Sequence, residues 1–395
     1  MIECRTIKEL CSVVVDCPHS TPTWTAEGKI VVRNNNIKNG RIDFSSPSYT
    51  DDEHYQQRIK RATPQGGDII ITREAPMGEV GMIPEGIVCC LGQRMVLLRA
   101  NPDICDNYYL LYSLQSRYVQ HQISWSEGTG TTVSNLRIPH LEQLKIPYLP
   151  LSKQRQVSSV LRCLEEKIKH NRVINDNLEQ QAKAFFQELF IDNADPEWAI
   201  GTISDLGTVV GGSTPSKAKP EYYTETGIAW ITPKDLSVNK SKFISHGEND
   251  ITELGLKNSS ATIMPEGTVL FSSRAPIGYI AVAAGEVTTN QGFKSIVPKP
   301  EIGTAFVYYF LKHNLPIIEG MASGSTFKEV SGSTMKVVPA VIPDTDTIAR
   351  FNDFCSPIFA QQRILEEQNQ SLAALRDNLL PKLMSGEIDV SDIDL

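Results

Sequence analysis

Thr72-Arg73-Glu74-Ala75-Pro76-Met77-Gly78 returns 200 residues later as Ser272-Ser273-Arg274-Ala275-Pro276-Ile277-Gly278. Each copy follows a short apolar run, Ile69-Ile70-Ile71 or Val269-Leu270-Phe271. Such a run closed by turn chemistry reads as a buried strand. The proline fixes φ, and the glycine two residues later admits conformations that other residues avoid. Five more blocks recur in the same order on either side. Thr6-Ile7 with Leu10 matches Thr202-Ile203 with Leu206 at an offset of 196, and Ser20-Thr21-Pro22 matches Ser213-Thr214-Pro215 at 193. Gly28 matches Gly227 at 199, Gln93 matches Gln291 at 198, and Gly130-Thr131-Thr132 matches Gly324-Ser325-Thr326 at 194. No block is strong alone, but their shared order and narrow range of offsets mark a duplicated unit.

The two copies occupy residues 1–150 and 194–345 and read as mixed α/β domains, with helical spacing of apolar residues at Tyr108–Tyr118 and Phe306–His313. Residues 151–193 and 346–395 read differently. Val157, Leu161, Leu164, Ile168, Asn171, Asn175, Leu178, Ala182, Phe185 and Leu189 alternate spacings of four and three. That is a heptad seam. Adding 194 to each number gives Phe351, Cys355, Ile358, Gln362, Leu365, Asn369, Leu372, Arg376, Leu379 and Leu383, a second seam in the same register. Asn175 and Asn369 fall at equivalent positions, where a buried Asn fixes register at a cost in stability. A helix from Ser152 to Phe190 would be roughly 58 Å long at 1.5 Å per residue. Pro357 is expected to kink the second helix or delay its start, and Pro381 to end or bend it. Pairing the helices hides both seams; packing each helix only on its own domain is the alternative. The resulting fold class is α+β, mixed: two similar α/β domains separated by two long antiparallel coiled-coil helices, with a pseudo-two-fold internal repeat.

A chain of 395 residues allows two or three domains, and no apolar run reaches the ~20 residues needed to span a bilayer. The start, Met-Ile-Glu-Cys-Arg, has neither a basic region nor an apolar one, so the expected location is cytoplasmic. The eight cysteines lack Cys-x-x-Cys spacing, and reduced thiols fit better than a metal site. The net charge of −8 is concentrated at the end, where residues 346–395 hold nine acidic and four basic side chains. The remainder is near neutral, which leaves room for a local basic face.

Catalytic motifs are missing. There is no Asp/Asn-Pro-Pro-aromatic site, and Val210–Lys217 lacks the spacing of a phosphate loop. The seven histidines do not recur between the halves, whereas a repeated active site needs repeated acids, bases or nucleophiles. The recurring Gly-Thr/Ser-Thr loops are better candidates for touching phosphates. The loops holding Gly130, Thr131 and Thr132, and Gly324, Ser325 and Thr326, combine close backbone approach with hydroxyl donors suited to phosphate. Ser213 and Thr214 suit a backbone-contacting loop. Arg73, Arg94, Lys234 and Arg274 can reach phosphate or the guanine edge, since a guanidinium is bidentate to O6 and N7. Polar hairpin loops and surface salt bridges are the competing readings of these residues.

At this point the residues resemble a known family, the specificity (S) subunit of type I restriction–modification enzymes, over essentially the whole chain. The resemblance rests on Gly212-Ser213-Thr214-Pro215, Gly227-Ile228-Ala229-Trp230-Ile231, Arg274-Ala275-Pro276-Ile277-Gly278, Asn290-Gln291-Gly292 and Gly324-Ser325-Thr326-Phe327. The closing run Leu375–Ile388, which includes Leu379-Leu380-Pro381-Lys382-Leu383-Met384-Ser385-Gly386, is the most specific. The first half departs from it: Cys17-Pro18-His19 replaces a Gly-Gly, and Arg73-Glu74 is shifted against Ser273-Arg274.

The resemblance implies two target-recognition domains, each reading one half of a bipartite, asymmetric site in double-stranded DNA. It also implies that the helices act as a spacer and dock two methyltransferase (modification) subunits. Those subunits would bring S-adenosylmethionine and flip the adenine, and restriction/translocase subunits would use ATP and Mg2+. The chain itself would have no catalytic site, cofactor or metal, and no membrane partner. A coiled-coil interaction scaffold that does not bind DNA is the alternative.

Overall fold

The computed structural model describes residues 3–38, 40–125, 135–324 and 328–388. The chain divides into two compact units, Met1–Lys167 with Ser371–Leu395, and Ile168–Gln370.

In the first unit, a four-stranded antiparallel sheet has the order Cys11–Asp16, Met95–Ala100, Ile69–Thr72, Val80–Met82. A second sheet orders Ser48–Thr50, Lys29–Val32, Cys89–Leu91, with the last pair parallel. Cys4–Thr6 pairs with Lys145–Pro147. The triple isoleucine lies at the centre of the unit. Ile69 and Ile71 face the cluster that holds Leu110, Leu114 and Val119 from the following helices, while Ile70 faces the second sheet. Both faces are covered, so the strand is apolar throughout instead of alternating.

The second unit repeats the core strand order, with one strand more in each of its two main sheets. Its larger sheet orders Gly207–Gly211, Lys294–Pro298, Val269–Ser273, Ile277–Ala283, and adds Phe243–Ile244 in parallel. The strand Ile228–Ile231 pairs antiparallel with Asn249–Ile251 and parallel with Thr288–Thr289, and Ala199–Thr202 pairs with Pro339–Ile342. Val269 and Phe271 face one cluster and Leu270 the other.

The likeness extends to individual hydrogen bonds. Thr6 and Glu9 form a capping box, and Thr202 and Asp205 form another. The Thr72 hydroxyl donates to the Pro76 carbonyl (2.6 Å) and accepts from Glu79 N–H (3.0 Å); the Ser272 hydroxyl donates to Pro276 (2.8 Å) and accepts from Tyr279 N–H (2.8 Å). Ala75 and Ala275 both adopt left-handed φ, +49° and +48°. That region is uncommon for a residue with a Cβ, and the hydroxyl clamp next to each turn helps hold it.

The two long helices are Leu151–Gln187, continued by a π-helical turn Glu188–Asp192, and Thr345–Met384. Every one of the twenty seam positions is buried or half-buried, including Leu161, Leu164, Ile168, Asn175, Leu178, Phe185, Leu365, Asn369, Leu372 and Leu379. In the first unit, Val157 and Leu161 pack with Leu383 and Met384, and Arg376 lies 3.6 Å from Glu165. In the second unit, Asn171 donates to Asn369 (3.1 Å), Asn175 donates to Glu366 (3.3 Å), and the Phe185 and Phe354 rings lie 4.5 Å apart. Within each unit, numbers rise along one helix as they fall along the other, so the pairing is antiparallel. The helices also touch their domains, as where Phe186 meets Phe306 at 6.0 Å.

Pro357 does not delay the second helix and Pro381 does not end it, because both lie inside the helix Thr345–Met384. Both prolines are exposed, as are Asp353 and Asp377 four residues before them. The carbonyl each proline leaves unpaired therefore lies on a face that water reaches, and the helix tolerates the loss.

No helix among the described residues is long and apolar enough to cross a membrane. None of the cysteines forms a disulfide there, and no group of three or more His, Cys, Asp or Glu is placed to hold a metal.

Candidate nucleic-acid interface

Loops leaving several strands of the first unit meet at a polar cleft of about 400 Å3, lined in part by Trp24, Arg33, Asn34, Ala75, Gln93 and Arg94. Arg33 and Asn34 follow the strand Lys29–Val32, Ala75 follows Ile69–Thr72, and Gln93 and Arg94 link Cys89–Leu91 to Met95–Ala100. Arg33 lies 5.3 Å over the Trp24 ring, a cation–π contact. Arg94 has a left-handed φ of +63°, and its side chain is 58% exposed.

A buried arginine supports this rim. Arg58, on the helix Asp52–Arg58, is only 7% exposed and donates to the carbonyls of Leu91 (2.8 Å), Gly92 (2.8 Å), Ser20 (3.1 Å) and Pro18 (3.4 Å). One guanidinium thus ties together the two loops that precede Trp24 and Arg94. Gln93 donates to the His19 carbonyl in the same place.

The candidate residues from the sequence separate into different environments. Arg73 points inward: Nη1 meets both Asp16 oxygens (3.0 and 3.1 Å), Nε donates to Leu136 O (3.0 Å) and Nη2 to Asn135 Oδ1 (3.2 Å). With 13% exposure, its guanidinium is committed within the unit and does not present the fork that base reading needs. Arg94 points outward beside it, and the Arg73 N–H donates to the Arg94 carbonyl at 2.8 Å.

In the second unit, Ser213 is held through its backbone: its N–H donates to Thr289 O (2.8 Å) and its carbonyl accepts from Trp230 Nε1 (3.0 Å). Thr214 donates to the Gln291 side chain. Lys234 pairs with Glu248 at 2.5 Å on the surface. Arg274 and Lys294 share Glu329, at 3.4 and 3.7 Å. Gly324, with φ +122°, lies next to Ser323, which bridges to Glu329. Ser213 and Thr214 therefore belong to one loop cluster, and Arg274 and Gly324 to another around Glu329. Gly130, Thr131, Thr132, Ser325 and Thr326 lie outside the described residues.

Trp24, Arg33, Asn34 and Arg58 were not legible as a group. Their one local signal is Arg33-Asn34-Asn35-Asn36, a polar run directly after a strand, which marks a loop without indicating what it faces.

This is a duplicated architecture: two α/β units with one core strand order, each carrying polar loops at the ends of its strands and each built onto a stretch of both long helices. The chain belongs to the family of type I restriction modification DNA specificity domains, whose model matches residues 3–180 and again 196–375. The type I restriction enzyme MjaIX specificity subunit of Methanocaldococcus jannaschii is 40% identical over 191 residues, which is 46% of this chain and 44% of that relative, so this match spans about half its length. The putative type I restriction enzyme MjaX specificity subunit of the same organism is 23% identical over 98% of this chain and 94% of its own. The crystal structure of the type I restriction-modification system S subunit from M. genitalium shares the fold, with a TM-score of 0.62 at 18% identity, covering 97% of this chain and 96% of that one.

Proposed function

We propose that this chain is the DNA specificity subunit of a type I restriction–modification complex and reads a bipartite, asymmetric site in double-stranded DNA. The observation that carries this reading is the double match: two units with one core strand order fall within one family of DNA specificity domains. The rims of the two units differ in side chains, which suits two different half-sites. The internal repeat, with helices related by an offset of 194 residues, gives the chain two similar surfaces, a basis for docking two copies of one modification subunit. In this reading the chain supplies recognition and makes no bond itself. The modification subunits bring S-adenosylmethionine, the restriction/translocase subunits use ATP and Mg2+, and the assembly works in the cytoplasm on chromosomal DNA.

Adenine methylation mapped by long-read sequencing, with and without this gene, is the test. Removing the gene is expected to erase methylation at one bipartite motif. Unchanged methylation with the partner genes intact would count decisively against the proposal. The net charge of −8 favours a second reading, an interaction scaffold without DNA. Duplex binding separates the two: a reader making several phosphate contacts loses about 10^3 to 10^5 in affinity between 50 and 200 mM salt, whereas a scaffold binds no duplex at any salt.

A further inference from the structure

We propose that Arg94 is the guanine-reading residue of the first unit, with Glu74 as its positioning residue. This rests on the DNA-reading function proposed above. Glu74 Oε2 lies 3.3 Å from Arg94 Nε, an ion pair on the inner edge of the guanidinium. The side chain is 58% exposed and lines the cleft. A guanidinium paired on its Nε edge leaves its two Nη groups free to act as a pair, and that pair matches the O6 and N7 acceptors of guanine in the major groove.

Glu74 is itself restrained. Its Oε1 accepts from Asn135 Nδ2 (2.6 Å) and its backbone carbonyl accepts from Asn34 Nδ2 (2.7 Å). The left-handed backbone at Arg94 and the loop anchored by Arg58 set where the side chain starts. Holding a group through its supporting neighbours is what gives a recognition contact its precision.

The second unit has no counterpart. Gln93 matches Gln291, and the Ser273 N–H donates to the Gly292 carbonyl (2.7 Å) as the Arg73 N–H does to Arg94, so the place of Arg94 is taken by Gly292, which has no side chain. The place of Glu74 is taken by Arg274, which pairs with Glu329. Arg94-dependent guanine reading is therefore confined to one half-site.

The test measures binding of the full chain to its selected duplex and to every single-base-pair variant of it. Wild type is expected to lose about 5- to 150-fold when one particular G·C pair is changed, the range of one bidentate contact. Arg94→Ala is expected to abolish that discrimination and leave the other half-site unchanged. Placing 7-deazaguanine at that position should weaken wild type but not Arg94→Ala. Glu74→Ala should reduce discrimination at the same pair, with Glu74→Gln retaining part of it and neither having an effect in the Arg94→Ala background. If Arg94→Ala is poorly folded, Arg94→Lys keeps the charge but not the fork and should show the same loss. The inference is overturned if a motif is selected but no position depends on Arg94, or if Arg94→Ala weakens all duplexes equally, as a phosphate contact would. Failure of wild type to prefer any sequence overturns the underlying function instead, and this inference with it.

Discussion

Replacing Lys242 by methionine is expected to destabilise the second unit by about 3 kcal/mol, the lower end for breaking a buried ion pair. Lys242 is 7% exposed and sits where three elements meet. Its Nζ lies 2.5 Å from Glu179 on the central helix, and it donates to Gln362 (2.6 Å) on the C-terminal helix and to the Tyr309 hydroxyl (3.3 Å). The Phe359 ring lies 4.2 Å from the ammonium. The backbone N–H groups of Lys242 and Phe243 both donate to Glu366, at 2.9 and 3.0 Å. The cluster therefore joins the edge strand of the domain to both helices within one unit.

Methionine keeps the apolar stem but leaves Gln362 Oε1 without its donor and Glu179 with Lys312, Tyr309 and the Gln362 amide. For a unit of this size the melting temperature should fall by about 6 to 12 °C. Hydrogen exchange should speed up in Phe243–Ile244 and Thr304–His313 while the first unit keeps its protection. The double variant Lys242→Met/Glu179→Gln should recover much of the loss, because neither member then remains as an unpaired charge. A single-variant loss under about 1 kcal/mol would mean that the pair only breaks even against its desolvation.

The same cluster sets a pH dependence. Burial pushes the Glu179 carboxyl up, but Lys242 and Lys312 outweigh it and hold its pKa at about 2, below the ordinary 4.5. A carboxyl whose folded pKa is depressed contributes stability that is fully present above its unfolded pKa and is lost as pH falls through the folded one. Unfolding measured from pH 5 down to 2 should therefore show stability declining through this window, and Glu179→Gln should remove that part of the decline.

The sequence carried most of the architecture because duplication repeats every local signal. Ile69-Ile70-Ile71 and Val269-Leu270-Phe271 are both central strands, and the heptad positions lie on the covered faces of both helices. What it could not carry was the choice between chemically equal side chains. Arg73 and Arg94 are two arginines in polar surroundings, yet one points inward and the other outward. Asp16 decides this from 57 positions away, and no periodicity reports such a partner. Arg58 reads as the surface end of a short helix, because its four acceptors are main-chain carbonyls of two other loops. Lys242 looks like any surface lysine in Ser241-Lys242-Phe243, since the residues that bury it come from both long helices. The prolines neither start nor end the helix for the related reason that the face they occupy depends on packing.

Arg73→Ala is expected to cost the first unit about 3 kcal/mol, seen as a fall of about 6 to 12 °C in melting temperature, without relaxing sequence preference. The pair it forms with Asp16 is 13% and 14% exposed, so water replaces the lost donors poorly. Removing the guanidinium leaves Leu136 O and Asn135 Oδ1 without these donors, and Asp16 with His19 at 3.0 Å. Arg73→Lys should recover little, because an ammonium on a flexible stem does not reproduce a planar fork that reaches an aspartate, an amide oxygen and a main-chain carbonyl at once. The pairing of this variant with Arg94→Ala makes the outcome sharp. If the inward arginine holds the fold and the outward one reads DNA, Arg73→Ala should change the melt and spare the motif, and Arg94→Ala should do the reverse. An Arg73→Ala chain that melts like wild type yet accepts a new base pair would exchange the two roles, and the cleft would have to be redrawn around Arg73.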